Sequence, residues 1–276
     1  MRRTVLHDSL RARAVEVGVD LCWGSRVEDI QKQQAIIDGQ KCEFRFSVIA
    51  DGQHSAWRER LGFDEVKLRR QRFGFRRHYR MAPWSSFVEV HWGDGEQMYV
   101  TPVAGDEVCI ALLTSDQHAQ FDQALSRFEV LAARVRLQEP CSKLRGGVCA
   151  TRRVSHVTKG TTFALIGDAS GSVDAITGDG ISIALHAAKA LAAAIRVENL
   201  QGYEDAHEQI MRRPRQMGEL LIAMDRSARF RAKALASMSR HPEMFAKFLG
   251  LHTGAMRVSD FGVKDAMVLG WELLAG

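Results

Sequence analysis

One stretch narrows the choice of fold more than any other. The apolar run at 162–166 reads as a buried strand, and it ends in Gly167-Asp168. A loop of small residues follows, then Gly178-Asp179-Gly180. From Gly180 a helix is expected, carrying Ala184, Ala187, Ala188, Ala190, Ala192 and Ala193. A strand that turns through glycines into a small-faced helix is a β/α unit of a layered domain. The same residues suit a ligand. A carboxylate at a strand end can accept hydrogen bonds from a polyol, and glycines let backbone approach a flat ring. The first turn of a helix offers free N–H groups and partial positive charge. Gly-Asp alone reads equally well as a tight connection with a structural cap; the whole arrangement points to a site.

The rest of the chain supplies the context. Residues 3–17 have helical spacing, with Val5, Leu6, Leu10, Ala14 and Val17 near one face and Gly18 as the stop. Strands are expected at 19–23, 35–38 and 42–50, the last broken by Asp51-Gly52, with a helix over 54–61. Residues 69–115 alternate with period two. Phe73, Phe75 and Tyr79 share one face; Arg70, Arg72, Arg76, His78 and Arg80 share the other. Strands at 87–92, 97–103 and 107–113, with turns at Gly93-Asp94-Gly95 and Gly105-Asp106, complete an antiparallel sheet. A helical stretch covers 117–137. The part after 201 is helical in pattern, with Pro214 as a kink or break. This order predicts an α/β domain with an antiparallel sheet inserted and a helical tail. The expected divisions are 1–66, 67–149, 150–200 and 201–276.

Composition excludes several classes. The net charge of +5 is mild for 276 residues; it favours anionic ligands but does not argue for nucleic acid. Five cysteines, an odd number with no CxxC pair, point to buried or reduced thiols and a cytoplasmic protein. No apolar run approaches the ~20 residues of a membrane span, and the basic start lacks a signal stretch. Residues 209–251 mix apolar and basic side chains, which suits a helix packed on the body, with peripheral membrane association as the alternative. There is no HExxH spacing, so no metal is expected, and no GxSxG elbow. The basic run Lys67–Arg80 reads as a solvated strand face, the alternative being attraction of a nicotinamide phosphate or an acidic substrate.

A second motif agrees with the first. Val48-Ile49-Ala50 leads into Asp51-Gly52, a tight turn, and Ser55 can cap the helix that contains Arg58. Alone this is a common turn-and-cap pattern. The pair, separated by a β-rich stretch, resembles the FAD-dependent oxidoreductases and monooxygenases of the aromatic-hydroxylase and geranylgeranyl-reductase superfamily. The resemblance runs from the first residues to about residue 200. It implies that Asp168, after Gly167, meets the ribityl chain of FAD. It implies that backbone around Gly178, Asp179, Gly180 and Ile181 faces the pyrimidine end of the flavin. Asp51, Gly52 and Ser55 would lie near the pyrophosphate, in a segment also implicated in NAD(P)H use. Arg3 matches an early-helix residue that touches FAD in the family, or is a solvated arginine. Ala175 stands where many members have proline.

One departure matters. Members normally begin with a strand, a GxGxxG turn and a helix that binds the pyrophosphate. No GxGxxG occurs in this sequence. The expectation is an N-terminally truncated FAD-binding domain, short of about a hundred residues. A fragment, a degraded remnant and a unit completed by a separate chain are the explanations. FAD affinity of this chain alone should be poor. The expected activity is NAD(P)H-dependent, flavin-dependent hydroxylation of a small organic substrate. Trp92 and Tyr99, with Trp84 and Phe87, would line its pocket or form core. No catalytic side chain stands out, and the oligomeric state is not legible. The alternatives are an isoprenoid double-bond reductase, a halogenase (without its Trp-x-Trp-x-Ile-Pro signature), and a non-catalytic remnant holding no FAD.

Overall fold

The computed structural model describes residues 1–63, 67–257 and 260; the expected boundary at 66 and the tail beyond 260 lie outside the described residues. Helix α1 (Arg3–Glu16) forms where its spacing predicts, yet none of its residues is buried. No strand forms over 19–23. That run meets Gly24 at φ +78°, a turn conformation, and pairing begins later. β1 (Val27–Gln31), β2 (Gln34–Ile37) and β3 (Gln40–Glu43) make an antiparallel meander. The strand expected over 42–50 is two strands, β3 and β4 (Ser47–Ile49), in different sheets. The chain changes partners between them: Phe44 N–H still donates to Gln33 C=O, whereas Ser47 N–H donates to Thr162 C=O. Helix α2 (Ala56–Arg60) follows.

β5 (Lys67–Arg80), β6 (Glu89–Trp92), β7 (Glu96–Ala104), β8 (Glu107–Thr114) and β9 (Arg145–Arg153) form a five-stranded antiparallel sheet, ordered β6-β7-β8-β5-β9. β9 has no counterpart in the sequence reading. Its Arg-Gly-Gly start and Arg-Arg end mask any alternation, and it forms because the long β5 offers a second edge. It runs across the expected division at 149/150. One face carries Phe75, Tyr79, Met98, Val100, Val108, Ile110 and Leu112. It packs on α3 (Phe121–Ser126) and α4 (Glu129–Val135), which bury Phe121, Leu125, Leu131 and Val135. Each such side chain contributes roughly 1.5–3 kcal/mol. The helix expected over 117–137 is thus two helices, split at Phe128, whose ψ of 73° is not helical.

β10 (Thr158–Lys159) and β11 (Phe163–Leu165) complete a third sheet, ordered β10-β11-β4, with β11 parallel to β4 and Leu165 opposite Ile49. Helix α5 (Gly180–Arg196) buries Ala187, Leu191 and Ala194 with this sheet's core. Helices α6 (Leu200–Arg226), α7 (Ala228–Arg240) and α8 (Pro242–Thr253) follow. The small side chains of α5 let α6 come close. α6 continues through Pro214 instead of breaking. A proline there removes one backbone hydrogen bond, and burial of Met211, Gly218 and Ile222 on both sides holds the helix. Among the described residues no helix is long and apolar enough to cross a membrane. All five cysteines are free; Cys22 and Cys42 are exposed, the others half-buried.

Candidate functional site

The parallel pairing of β4 and β11 brings the Asp-Gly and Gly-Asp turns side by side at the same end of two strands. Gly52 adopts φ +85°, which suits only glycine without strain. Asp51 accepts from Trp57 N–H (3.3 Å), and the buried Ser55 hydroxyl accepts from Arg58 N–H (3.0 Å), capping α2. Arg58, itself buried, then crosses to the other turn and donates to Ala169 C=O at 2.9 Å. One side chain therefore locks the two motifs together. Gln53 extends the lock to the sheet, donating to Val148 C=O and accepting from Ala150 N–H.

Gly167 (φ +60°) opens a 3-10 turn that exposes Asp168. Among the described residues the Asp168 carboxylate has no hydrogen-bond or ion-pair partner. Behind it, Ser170 donates to Gly167 C=O (2.7 Å) and contacts His207 Nε2 of α6 (3.0 Å), both side chains being buried. Burial, with Arg215 nearby, pushes His207 down to about 4, so it is neutral. Tyr203 donates to Leu165 C=O at 2.8 Å. The strand end and turn that carry Asp168 are thus pinned from α6. The loop then runs to Gly178 at φ +73° and into α5, whose first turn holds no acidic residue. Asp179 lies 3.4 Å from His252 of α8, and burial raises its carboxyl. Ile181 is exposed on the first turn.

The chain's residues fit the ribityl and ring end of a flavin on three observations. Asp168 is free and accessible. A Cβ at Gly178 or Gly180 would meet nothing within 4 Å, so the backbone is open to a flat ligand. One buried oxygen of Asp179 has no partner among the described residues. Among those residues no cluster of His, Cys, Asp and Glu could hold a metal ion.

The second sheet face meets this loop. Tyr99 donates to Ile176 C=O (3.1 Å), and its phenol is raised by burial. Trp92 and Tyr99 pack with Leu113, Ile176 and Ile222, and Arg231 stacks over Trp92. Both aromatics tie the sheet to the loop and to α6. Arg72 binds Asp174 (3.1 Å) and Asp225 (2.8 Å), and Gln97 also donates to Asp225. Asp174 in turn caps the turn at Ile176. The basic strand face is therefore not simply solvated: Arg72 and His78 are buried. Arg3 lies at the far end of this face, beside Arg76, His78 and Arg145. Arg3 and Asp168 both lie within electrostatic reach of Cys149 on β9, whose thiol is raised by burial. The structure thus gathers Asp51, Gly52, Ser55, Gly167 and Asp168 at one place, joined by the loop to Gly178–Ile181. Arg58 belongs to the Asp-Gly motif, but its role as the link between the two turns depends on Ala169, 111 residues away. In sequence Arg72 is one arginine of a basic strand face; its bond to Asp174 spans 102 residues and the contact of His207 with Ser170 spans 37, so neither leaves a local signal.

No family model and no curated protein matches this sequence. Solved structures do match. The flavin-dependent brominase Bmp2 is 17% identical with a TM-score of 0.76, over 98% of this chain and 74% of that one. A flavoprotein/dehydrogenase from Cytophaga hutchinsonii is 15% identical with a TM-score of 0.78, over 92% and 69%. PqsL, a probable FAD-dependent monooxygenase from Pseudomonas aeruginosa, is 22% identical with a TM-score of 0.56, over 87% and 72%. The chain therefore shares its mixed α/β fold, with the antiparallel sheet inserted, with these structures.

Proposed function

We propose that this chain is an FAD-dependent oxidoreductase, acting with NAD(P)H as donor in a monooxygenase-type reaction on a small organic substrate. The observation that carries this reading is the turn from Gly167 to Ile181. It leaves Asp168 accessible and unpartnered, opens backbone at Gly178 and Gly180, and is held rigid from three sides by Arg58, Arg72 and His207. The fold shared with flavoenzymes supports it.

In this reading Asp168 accepts hydrogen bonds from the ribityl hydroxyls. The N–H groups at Gly180 and Ile181, at the positive end of α5, stabilise negative charge on the ring system. Asp51 and Gly52 lie toward the phosphate side. When bound, FAD supplies hydride acceptance and oxygen activation. The protein orients the substrate over the sheet face that bears Tyr99 and keeps water out. The test is turnover. With added FAD, the purified chain should oxidise NADH or NADPH and consume oxygen, and Asp168→Asn should lower the rate about tenfold at a given FAD concentration. FAD-independent rates, or equal rates in the variant, would contradict the proposal.

A further inference from the structure

Along β5, the residues beyond Arg72 on the same face lead into a separate cavity of about 250 Å³. Its walls include Arg2 and Arg3 at the cap and first residue of α1, Arg76 and His78 on β5, Lys143 just before β9, and Arg145 at the start of β9. Arg2 is held bidentately by Glu107, at 2.6 and 2.7 Å. Arg3, Arg76, Lys143 and Arg145 have no carboxylate partner among the described residues. Five cationic side chains against the one carboxylate of Glu107 leave an excess of four positive charges. α1 adds to it: its first turn has no acidic residue and its N-cap makes no side-chain hydrogen bond, so its positive end is uncompensated. Burial holds the His78 imidazole below its usual range, with Glu107 opposing and Arg2 and Arg76 adding to the effect. Its Nδ1 lies 3.2 Å from the Ser142 hydroxyl.

Like charges gathered in a concave site repel one another and focus a positive potential, which an anion relieves. The volume is just below the ~300 Å³ at which sites for drug-sized ligands begin. It suits one anionic group with a small part of its carrier. Position gives the direction of that carrier. Arg145, Arg76, Ala111 and Tyr99 are successive partners in one cross-strand row. Arg76 is two strands from Tyr99, roughly 10 Å at the usual strand spacing. Tyr99 in turn holds Ile176 of the loop given to the flavin. The methyl-sized Ala111 between them leaves the row low.

We propose that this cavity binds an oxyanion group, carboxylate or phosphate, of the organic substrate. Arg76 is the central ligand and Lys143 and Arg145 stand at the side, with the rest of the substrate running over Ala111 toward the loop. The assignment to substrate rests on the flavoenzyme reading; the anion site itself does not.

The test titrates the purified chain with inorganic phosphate and with benzoate by calorimetry, against chloride at equal ionic strength. Saturable binding is expected, with a dissociation constant on the order of 1 mM. Arg76→Met should weaken it about tenfold, and Lys143→Met with Arg145→Met, both exposed, should do so without risk to folding. Binding no better than chloride, or unchanged in these variants, overturns the site. A second arm repeats the phosphate titration with FAD present. Undiminished binding supports the substrate assignment; displacement by FAD overturns it and gives the site to the cofactor's phosphates. Asp168→Asn separates the two readings: it should lose flavin affinity while phosphate binding stays.

Discussion

Arg72 and Arg76 sit four residues apart on the same strand and the same sheet face, yet they live in opposite surroundings. Arg72 is buried between Asp174 and Asp225 and joins the sheet to the loop and to α6. Arg76 borders an open cavity whose other cations have no counter-charge beyond Glu107. The difference teaches how to read a basic strand. Where carboxylates from other elements close over it, a guanidinium is part of the architecture. Where none does, it is available to a ligand. The covered end fixes the Gly167–Ile181 loop; the open end is the one proposed to take the substrate's anionic group.

The comparison can be broken by removing either arginine. Arg72→Met leaves the buried Asp174 and the half-buried Asp225 without their cation, and breaking such a pair costs ~3–5 kcal/mol. Urea unfolding should show a loss of that size; a loss under ~1 kcal/mol would put Arg72 among the solvated residues. The covered end also carries a pH signature. His207 binds its proton far less readily folded, at about 4, than unfolded, near 6.5. Its contribution is complete above pH 6.5 and is lost as pH falls toward 4, on the order of 3 kcal/mol in all. In His207→Gln the stability curve should be flatter across that window. Tyr99→Phe removes the hydrogen bond to Ile176 C=O and should cost ~1 kcal/mol, as should Ser55→Ala through its helix cap. The smallest effect belongs to the open end. Arg76→Met should change stability by less than ~0.5 kcal/mol while it changes anion binding.

Legibility followed the same divide. The strand, turn and helix at Gly167–Ile181 were readable because turn chemistry and periodicity are local. So were the two faces of β5, down to which residues share them. β9 was not, because a glycine-rich, arginine-flanked strand becomes one only when β5 is there to pair with. The split of 42–50 into β3 and β4 was hidden because one apolar run serves two sheets. Pro214 misled because its cost is local and the burial that outweighs it is not. At the site, Asp168 and the glycines were visible in sequence. The side chains that hold them in place, Arg58, Asp174 and His207, were not singled out, because their roles depend on partners that folding brings from afar. Trp92 and Tyr99, which the sequence leaves between pocket lining and core, pack against the loop and α6, and that role depends on Ile176 and Ile222 from other elements.

The Gly167–Ile181 turn is proposed to hold a flavin through Asp168. Titration of the purified chain with FAD, followed by visible absorbance and flavin fluorescence, tests it most directly. Saturable binding that perturbs the flavin spectrum is expected, weak in absolute terms, and weakened about tenfold further in Asp168→Asn with an unchanged circular dichroism spectrum. An unperturbed flavin at millimolar FAD, or equal affinity in wild type and variant, would contradict it.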